Sequence, residues 1–443
     1  MSTKTKAKKR KQKQKSEKGA VDKKVLVLRD QNRKPRLCKV KLIDTMPLVP
    51  GGKSLDHVGH LIGLKKLSLP EGQHISRMKK FFSEEPAEAE AYGLRDSQAT
   101  LRFGKHVINV FSEEFELDGI PTTIGSAAVR YFVKQFGDPE HFRKVFGQSI
   151  EKEYYWHIEK QKFCSRTIKS ITPEALVFYD FVARCFRGGR SEAFVCGLSE
   201  DGEGVAQYDV DLSGAYSTTL LILREPDYAG AYLTKDLKDF CGEVMGFVYA
   251  DFEFPEGTQY PCIQVPDGTR GLFFPLQGTS YFTAPELELA LEMGAKINIR
   301  TGVVVPWAND NRVFEPFVRK VRAKRKEHPP KSIENELYKL MLNSIYGKCG
   351  QSLRGKSAFD TREMGSKKIG PSPLTNPYFA AYVTGFVRAV LSELLWKIPE
   401  GEVIYSATVD GFLTSTEPSR IDTSGTMYKR FQSLLDLLDE EGK

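Results

Sequence analysis

The chain has 443 residues, 40% of them hydrophobic and 28% charged, enough for two or three domains with buried cores and ordinary for a globular protein. There is no apolar run of about 18 residues and no apolar core of a signal peptide, so no membrane partner is expected. Seven scattered cysteines without a C-x-x-C pair suggest neither a disulfide framework nor a zinc site, and point to a reducing, cytoplasmic setting.

The net charge of +8 is concentrated at one end. Residues 1–24 carry eleven Lys or Arg against Glu17 and Asp22, so the body is near neutral. A basic arm without aromatics is expected to be disordered; it suits non-specific phosphate binding or a solubilising or targeting role. From residue 25 to about 147 short apolar runs alternate with helical patterns, which reads as a mixed α/β unit. A Gly-rich joint, "CFRGGRSEAFVCG", places a boundary or linker at about 151–190. Strands then dominate to about Phe274, and "TAPELELALEMGA" reads as a helix capped at Thr283. A basic helix, "FEPFVRKVRAKRKEH", breaks at Pro329 and Pro330. A second begins near Ser332, and "YFAAYVTGFVRAVLSELLWKI" forms a long helix feeding the strand before Asp410.

Chemistry concentrates in the second half. On the helix after Ser332, Leu337, Leu340, Met341 and Ile345 form an apolar stripe, whereas Lys339, Asn343 and Tyr346 share another face. Arg319, Lys320, Arg322, Lys324, Arg325 and Lys326 crowd two turns of the preceding helix. Such repulsion calls for a compensating anion, for which a polyphosphate is one candidate; a solvated basic face is the alternative. In "YDVDLSGAYS", Asp209 and Asp211 share one strand face. "YSATVDGFLTS" offers Asp410 beside Gly411, the signature of a hairpin corner, and a corner can also present a metal ligand. One carboxylate from each of two adjacent strands meets the needs of magnesium, which completes its shell with water and phosphate oxygens.

Three of these segments, in order, resemble the motifs of family B DNA polymerases. "DLSGAYS" is similar to motif A, "KLMLNSIYG" closely matches the K-x-x-x-N-S-x-Y-G of motif B, and "ATVDGF" stands where motif C, usually D-T-D-S, belongs. "FRGG" at Phe186–Gly189 resembles the Y-x-G-G element between exonuclease and polymerase domains. "YGLRDSQATLRF" resembles the later exonuclease region, Tyr92 and Asp96 matching Y-x-x-x-D. The subgroup it most resembles is the protein-primed polymerases of phages, viruses and linear plasmids; the 128 positions from Asp211 to Lys339 leave room for the insertion that subgroup carries.

The resemblance implies an α+β fold, a partial RNase H-like 3′-5′ exonuclease domain (25–150) followed by a polymerase palm with an antiparallel sheet and helical fingers (191–443). It implies catalytic Asp211 and Asp410, holding magnesium (or manganese) with the Leu212 carbonyl. Tyr216, Arg322, Lys326, Lys339, Asn343 and Tyr346 are implied to bind the nucleotide, and Gly188, Gly189 and Gly347 the DNA. Tyr216 and Tyr346 as core aromatics, and Arg322 and Lys326 as plain surface, remain open at this point. Primer-template DNA and deoxynucleotides are the expected partners, with a terminal protein primer and separate chains as further ones. Departures accompany the matches: no D-x-E precedes Asp44, Thr408 replaces the first motif C aspartate, and about 33 residues follow Asp410 where a thumb domain is expected. The exonuclease pair is therefore read as vestigial and the thumb as truncated or missing. The rival reading is a catalytically silent or split-gene DNA-binding subunit.

Overall fold

A computed structural model of the chain describes residues 26–29, 35–38, 44–158, 161–197, 206–268, 271–355, 357–360 and 364–439; the basic arm lies outside them. Two units are distinguished, 1–46 and 47–443. In the first, β1 (Leu26–Arg29) and β2 (Pro35–Cys38) pair antiparallel.

The second unit begins with helices: Leu55–Leu61, Met78–Glu84, α1 (Pro86–Glu113), α2 (Ile124–Phe136) and α3 (Pro139–Val145). α1 buries Ala99, Phe103, Val107, Val110 and Phe111, the three-and-four spacing of one helix face. α2 starts at a reciprocal cap between Thr123 and Ser126 and stops at Gly137, whose φ of 73° favours glycine. Strands were expected to alternate with helices here, yet the described residues from 44 to 147 contain no strand. The apolar run through "MPLVPGG" forms two 3-10 turns instead, because Pro47 and Pro50 have no N–H to give a ladder. The RNase H-like sheet expected over 25–150 is thus not seen among the described residues; they show a hairpin in one unit and helices in the other.

The stretch read as a linker, 151–190, is regular. A ten-residue antiparallel ribbon, β3 (Gln148–His157) with β4 (Lys162–Ile171), leads into α4 (Tyr179–Cys185), whose Val182 and Cys185 are fully buried. Next come β5 (Arg190–Ala193), β6 (Tyr208–Asp211) and α5 (Ala215–Thr219). β7 (Tyr232–Leu233), β8 (Met245–Glu253), β9 (Gln277–Thr283) and β10 (Lys296–Val305) form an antiparallel sheet of order β9–β8–β10–β7. α6 (Ala284–Glu292) follows β9 at the expected cap, Glu286 accepting hydrogen bonds from both the N–H and the hydroxyl of Thr283 at 2.9 and 2.8 Å.

α7 (Glu315–Lys326) ends before Pro329 and α8 (Ile333–Cys349) starts at the Ser332 cap, as expected. α9 (Pro377–Trp396) is long and apolar enough to cross a membrane, but it is buried from Pro377 to Leu395 and forms the axis of the core. It feeds β11 (Ile404–Val409), β12 (Gly411–Thr414) and α10 (Thr426–Asp439). The second four-stranded sheet, order β5–β11–β12–β6, is antiparallel throughout and brings together segments some 200 residues apart. The fold is α+β, and one continuous hydrophobic core joins α1 and α2 to α8 and α9. The six cysteines with described side chains are free thiols.

Candidate active site

The site is organised by the β11–β12 corner. Thr408 pairs with Gly411, which leaves Val409 and Asp410 as the two corner residues. The sequence pattern suggested Asp410 and Gly411 there; the corner is one residue earlier. Val409 takes a φ of 55°, unusual for a β-branched residue, and the Asp410 N–H bonds the Thr408 carbonyl at 2.5 Å. Gly411 is needed for another reason. A Cβ at that position would sit 2.0 Å from Asp211 Oδ1 and 2.7 Å from the Val210 carbonyl. The missing side chain makes room for the Asp211 carboxylate, and the strain falls on Val409.

Asp211 lies opposite Gly411 on the neighbouring strand, and the Leu212 N–H donates to the Asp410 carbonyl at 2.9 Å. The two aspartates predicted from distant motifs are therefore adjacent. Asp211 is exposed and Asp410 half-buried, and neither forms an ion pair with a described residue. Burial, and then the Asp211 charge, raise the Asp410 carboxyl above the usual aspartate range. A carboxylate pair without a protein cation suits a hard divalent cation that takes one or two carboxylates and otherwise keeps oxygen ligands. The Leu212 carbonyl accepts from the Ala215 N–H at 3.2 Å and retains a second lone pair. Among the described residues no group of three or more His, Cys, Asp or Glu side chains is arranged for a metal, so a cation at this pair would take most of its oxygen ligands from water and substrate. Thr408 is exposed on β11, between Gly411 and Ser191 in the sheet.

Behind the carboxylates, Tyr216 and Tyr346 stack, ring centroids 4.4 Å apart and planes 19° from parallel. Burial pushes the Tyr216 hydroxyl up to about 12 and raises that of Tyr346 as well. On α8, Leu337, Met341 and Ile345 are buried as expected, Leu340 is half-buried, and Tyr338 joins the core. The other face leaves Lys339, Asn343 and Gly347 exposed, and a Cβ on Gly347 would meet nothing within 4 Å.

β5 carries the "FRGG" segment to the same place, Arg190 pairing with Val409 and Ser191 with Thr408. A Cβ on Gly189 would lie 2.7 Å from Val409 Cγ1 and 2.9 Å from the Tyr216 hydroxyl, so this glycine lets three motifs converge; Gly188 has open space. Arg388, fully buried on α9, donates to the Gly188 carbonyl at 2.7 Å and to Glu286 at 2.9 Å. Sequence reading missed this brace, although an arginine inside an otherwise apolar helix was the available signal. It named Phe186 in the FRGG segment but not its contact with Gly350, where a Cβ would stand 2.5 Å from the Phe186 ring.

The basic helix departs from expectation. Arg322 and Lys326 reach Asp439 of α10 at 3.1 and 3.7 Å. Arg319 pairs with Glu315, Lys324 with Glu327, and Lys320 lies over the Tyr131 ring. The compensation for which a polyphosphate was one candidate is thus largely supplied by the protein, partly by helix neighbours (Glu315, Glu327) and partly by groups remote in sequence (Asp439, Tyr131). Tyr92 and Asp96 sit one turn apart on α1. Lys66 Nζ lies 3.1 Å from Asp96 Oδ2 and 4.9 Å from the Tyr92 ring centre, while Asp96 Oδ1 is buried without a hydrogen-bond partner. Burial opposes the Lys66 charge, but Tyr92 and Asp96 outweigh it and hold the ammonium above its usual range.

Comparison with known proteins agrees with this arrangement. Residues 94–372 match the family model described as DNA polymerase type B, organellar and viral. The primer-independent DNA polymerase PolB of Escherichia coli is 42% identical over 416 residues, covering 91% of this chain and 48% of that protein, so the chain spans about half the length of this relative. In fold it is similar to Phi29 DNA polymerase complexed with primer-template DNA (TM-score 0.56, 14% identity, 92% of this chain and 70% of that one). It is also similar to the same polymerase with primer-template DNA and incoming nucleotide (TM-score 0.53, 16% identity, 84% and 60%). With a family match over more than half of its length and the motif A and motif C segments on one sheet beside the motif B helix, the chain belongs to the type B DNA polymerases of the organellar and viral group.

Proposed function

We propose that the chain carries the nucleotidyl-transfer centre of a DNA-directed DNA polymerase, adding deoxynucleotides to a 3′ hydroxyl on a template. The observation that carries this reading is the Asp211–Asp410 pair: two carboxylates, one on a strand and one at the neighbouring hairpin corner, without a counter-ion among the described residues, beside the stacked Tyr216 and Tyr346. Magnesium, or manganese in its place, supplies at such a pair the charge that activates the hydroxyl and steadies the leaving pyrophosphate. Asp211, Asp410 and the Leu212 carbonyl hold it. Lys339, exposed on α8, meets the triphosphate, and Asn343 with Tyr346 lines the nascent base pair. Tyr216 packs under the sugar and disfavours a 2′ hydroxyl. The open surface at Gly347 admits the template backbone, with Gly188 and Gly189 near the strand. Arg322 and Lys326 join the phosphate contacts once they leave Asp439.

In the same reading, 191–443 holds palm and fingers, residues 25–150 an exonuclease-like portion, and the setting is replication of a phage-, virus- or plasmid-like element in its host's cytoplasm. The test is synthesis by the purified chain on primed and unprimed templates, with magnesium or manganese. Metal-dependent products that follow the template sequence are expected on primed DNA. Products on unprimed DNA would extend to this chain the property in the E. coli relative's name. DNA binding without synthesis under either metal would overturn the enzyme in favour of a silent DNA-binding subunit.

A further inference from the structure

The β3–β4 ribbon belongs to neither larger sheet: it is a two-stranded sheet by itself, a form barely stable alone in water. Its root is fastened. Gln148 donates to the Pro373 carbonyl at 2.7 Å, Ser149 and Ser170 share a hydrogen bond, and the Thr172 N–H bonds the Gly147 carbonyl. The remainder stands clear, and its two faces differ.

Directly opposed residues of an antiparallel pair point to the same side, so the register assigns every side chain to a face. One face carries both signs of charge and an internal ion pair. Glu153 pairs with Arg166, whose guanidinium lies 5.5 Å from the centre of the Tyr155 ring. The other face carries Tyr154, Trp156 and Phe163 near the tip at 69, 51 and 73% exposure, and Lys152 and Lys169 along its length. It has no carboxylate, and neither lysine forms an ion pair with a described residue. Trp156 and Phe163 meet edge to face, centroids 5.1 Å apart, leaving flat ring surface in solvent. At its root this face opens on a cavity of about 550 Å³ of mixed charge, where Arg143 joins Lys169 and Glu116, paired with Lys134, stands with Asp118 on the wall.

Exposed aromatic rings cost free energy, and grouped ones mark a contact surface. Rings grouped at the tip with cations behind them that form no ion pair with a described residue match one chemistry closely: bases stack on the rings while phosphates meet the ammonium groups. A duplex keeps its bases stacked on one another, so the rings require a single strand. A second copy of the chain fits poorly, because a two-fold contact through this face would set lysines against lysines with no acid between them. We propose that this face of the ribbon, Tyr154, Trp156 and Phe163 with Lys152 and Lys169, binds single-stranded nucleic acid at a place separate from the Asp211–Asp410 site. The three rings occupy the outer part of a strand spanning roughly 30 Å, room for two or three stacked bases. The salt-dependent lysine contacts continue the track toward Arg143.

The probe is a fluorescein-labelled oligothymidylate titrated into the full chain, read by anisotropy and by tryptophan emission. The chain has three tryptophans, Trp156, Trp307 and Trp396, and stacking on Trp156 quenches its emission. Tyr154→Ala with Trp156→Ala and Phe163→Ala should weaken binding by about 30-fold or more. Its melting temperature should stay the same, since the rings are exposed. Lys152→Glu with Lys169→Glu should weaken binding and flatten the salt dependence by about two counterions. Trp156→Phe should keep the affinity and lose most of the quench. Asp410→Asn should bind the oligomer like the parent, which separates this site from the catalytic reading. Parental affinity in the triple alanine variant, or a quench that survives Trp156→Phe, would overturn the proposal. So would a parent that sediments as a dimer without nucleic acid while the triple variant is monomeric, or ring substitutions that abolish capture of an acidic polypeptide and leave oligothymidylate binding intact.

Discussion

At the β11–β12 corner two carboxylates from adjacent strands face each other with no described cation beside them, whereas on α1 the Asp96 carboxylate is met by Lys66 Nζ at 3.1 Å. Both are aspartates picked out by motif spacing, and the sequence already separated them, because the first exonuclease motif that Asp96 would need is missing. The fold separates them by charge. Holding Asp410 beside Asp211 leaves its carboxyl raised by burial and like charge, an arrangement that a bound cation relieves. Asp96 already has its cation and shares it with Tyr92. A pair of unpartnered like charges is informative because it has a cost in the unliganded chain, while a partnered one is stable as it stands.

The sharpest way to break the contrast is to neutralise each site. Asp410→Asn should cut primer extension by about a hundred-fold or more, the scale of losing charge stabilisation in a transition state. Its melting temperature should not fall, because the substitution removes the repulsion from Asp211. Asp96→Ala should leave extension unchanged and lower the melting temperature, since Lys66 loses its partner. Degradation of single-stranded DNA by the parent that vanishes in Asp96→Ala would show that the lysine-tied group is also catalytic.

Glycines sharpen the comparison next. Gly411→Ala should reduce extension by more than tenfold, with the added methyl forced against Asp211 Oδ1. Gly347→Ala should fold like the parent, so any loss it shows must come with template bound. An active Gly411→Ala would mean that the Asp211 carboxylate is free to move aside. Tyr216→Ala should raise ribonucleotide incorporation more than it lowers deoxynucleotide incorporation; an unchanged ratio would leave the Tyr216–Tyr346 stack a packing feature.

The pH dependence is smaller. The Asp410 carboxyl titrates above its unfolded value, about 3.9, so protonation favours the folded chain. That contribution is complete below the unfolded value and disappears as pH rises through the raised one. Thermal melts across this window should differ in slope between the parent and Asp410→Asn, in which the other carboxylates still titrate, and more metal should be needed for extension as pH falls through it. The mildest change expected is Thr408→Asp, which adds a carboxylate on the exposed strand beside the corner and should alter metal requirement more than rate.

The sequence alone determined the helices around the corner and picked out the two aspartates that the fold brings together. Thr283, Ser332, Pro329 and Pro330 act on their neighbours in the chain, so the limits of α6, α7 and α8 were readable, as was the apolar stripe of α8; Tyr346, read on the face of Lys339 and Asn343, turns inward onto Tyr216 instead. Asp211, Asp410, Tyr216 and Tyr346 were visible because their motifs are short and ordered. Tertiary structure decided whatever depends on groups far apart in the chain. Asp439 satisfies Arg322 and Lys326 from more than a hundred residues away, so a cationic cluster that looked unpaired is partnered. Lys66 reaches Asp96 from a separate segment. The corner shifted by one residue because an Asp-Gly pattern is a local preference, while the room demanded by the Asp211 side chain comes from the neighbouring strand and overrides it. The same holds for the proline-interrupted run near Leu48: short apolar runs look alike as strand or helix, and only the partners available for their backbone groups choose between them.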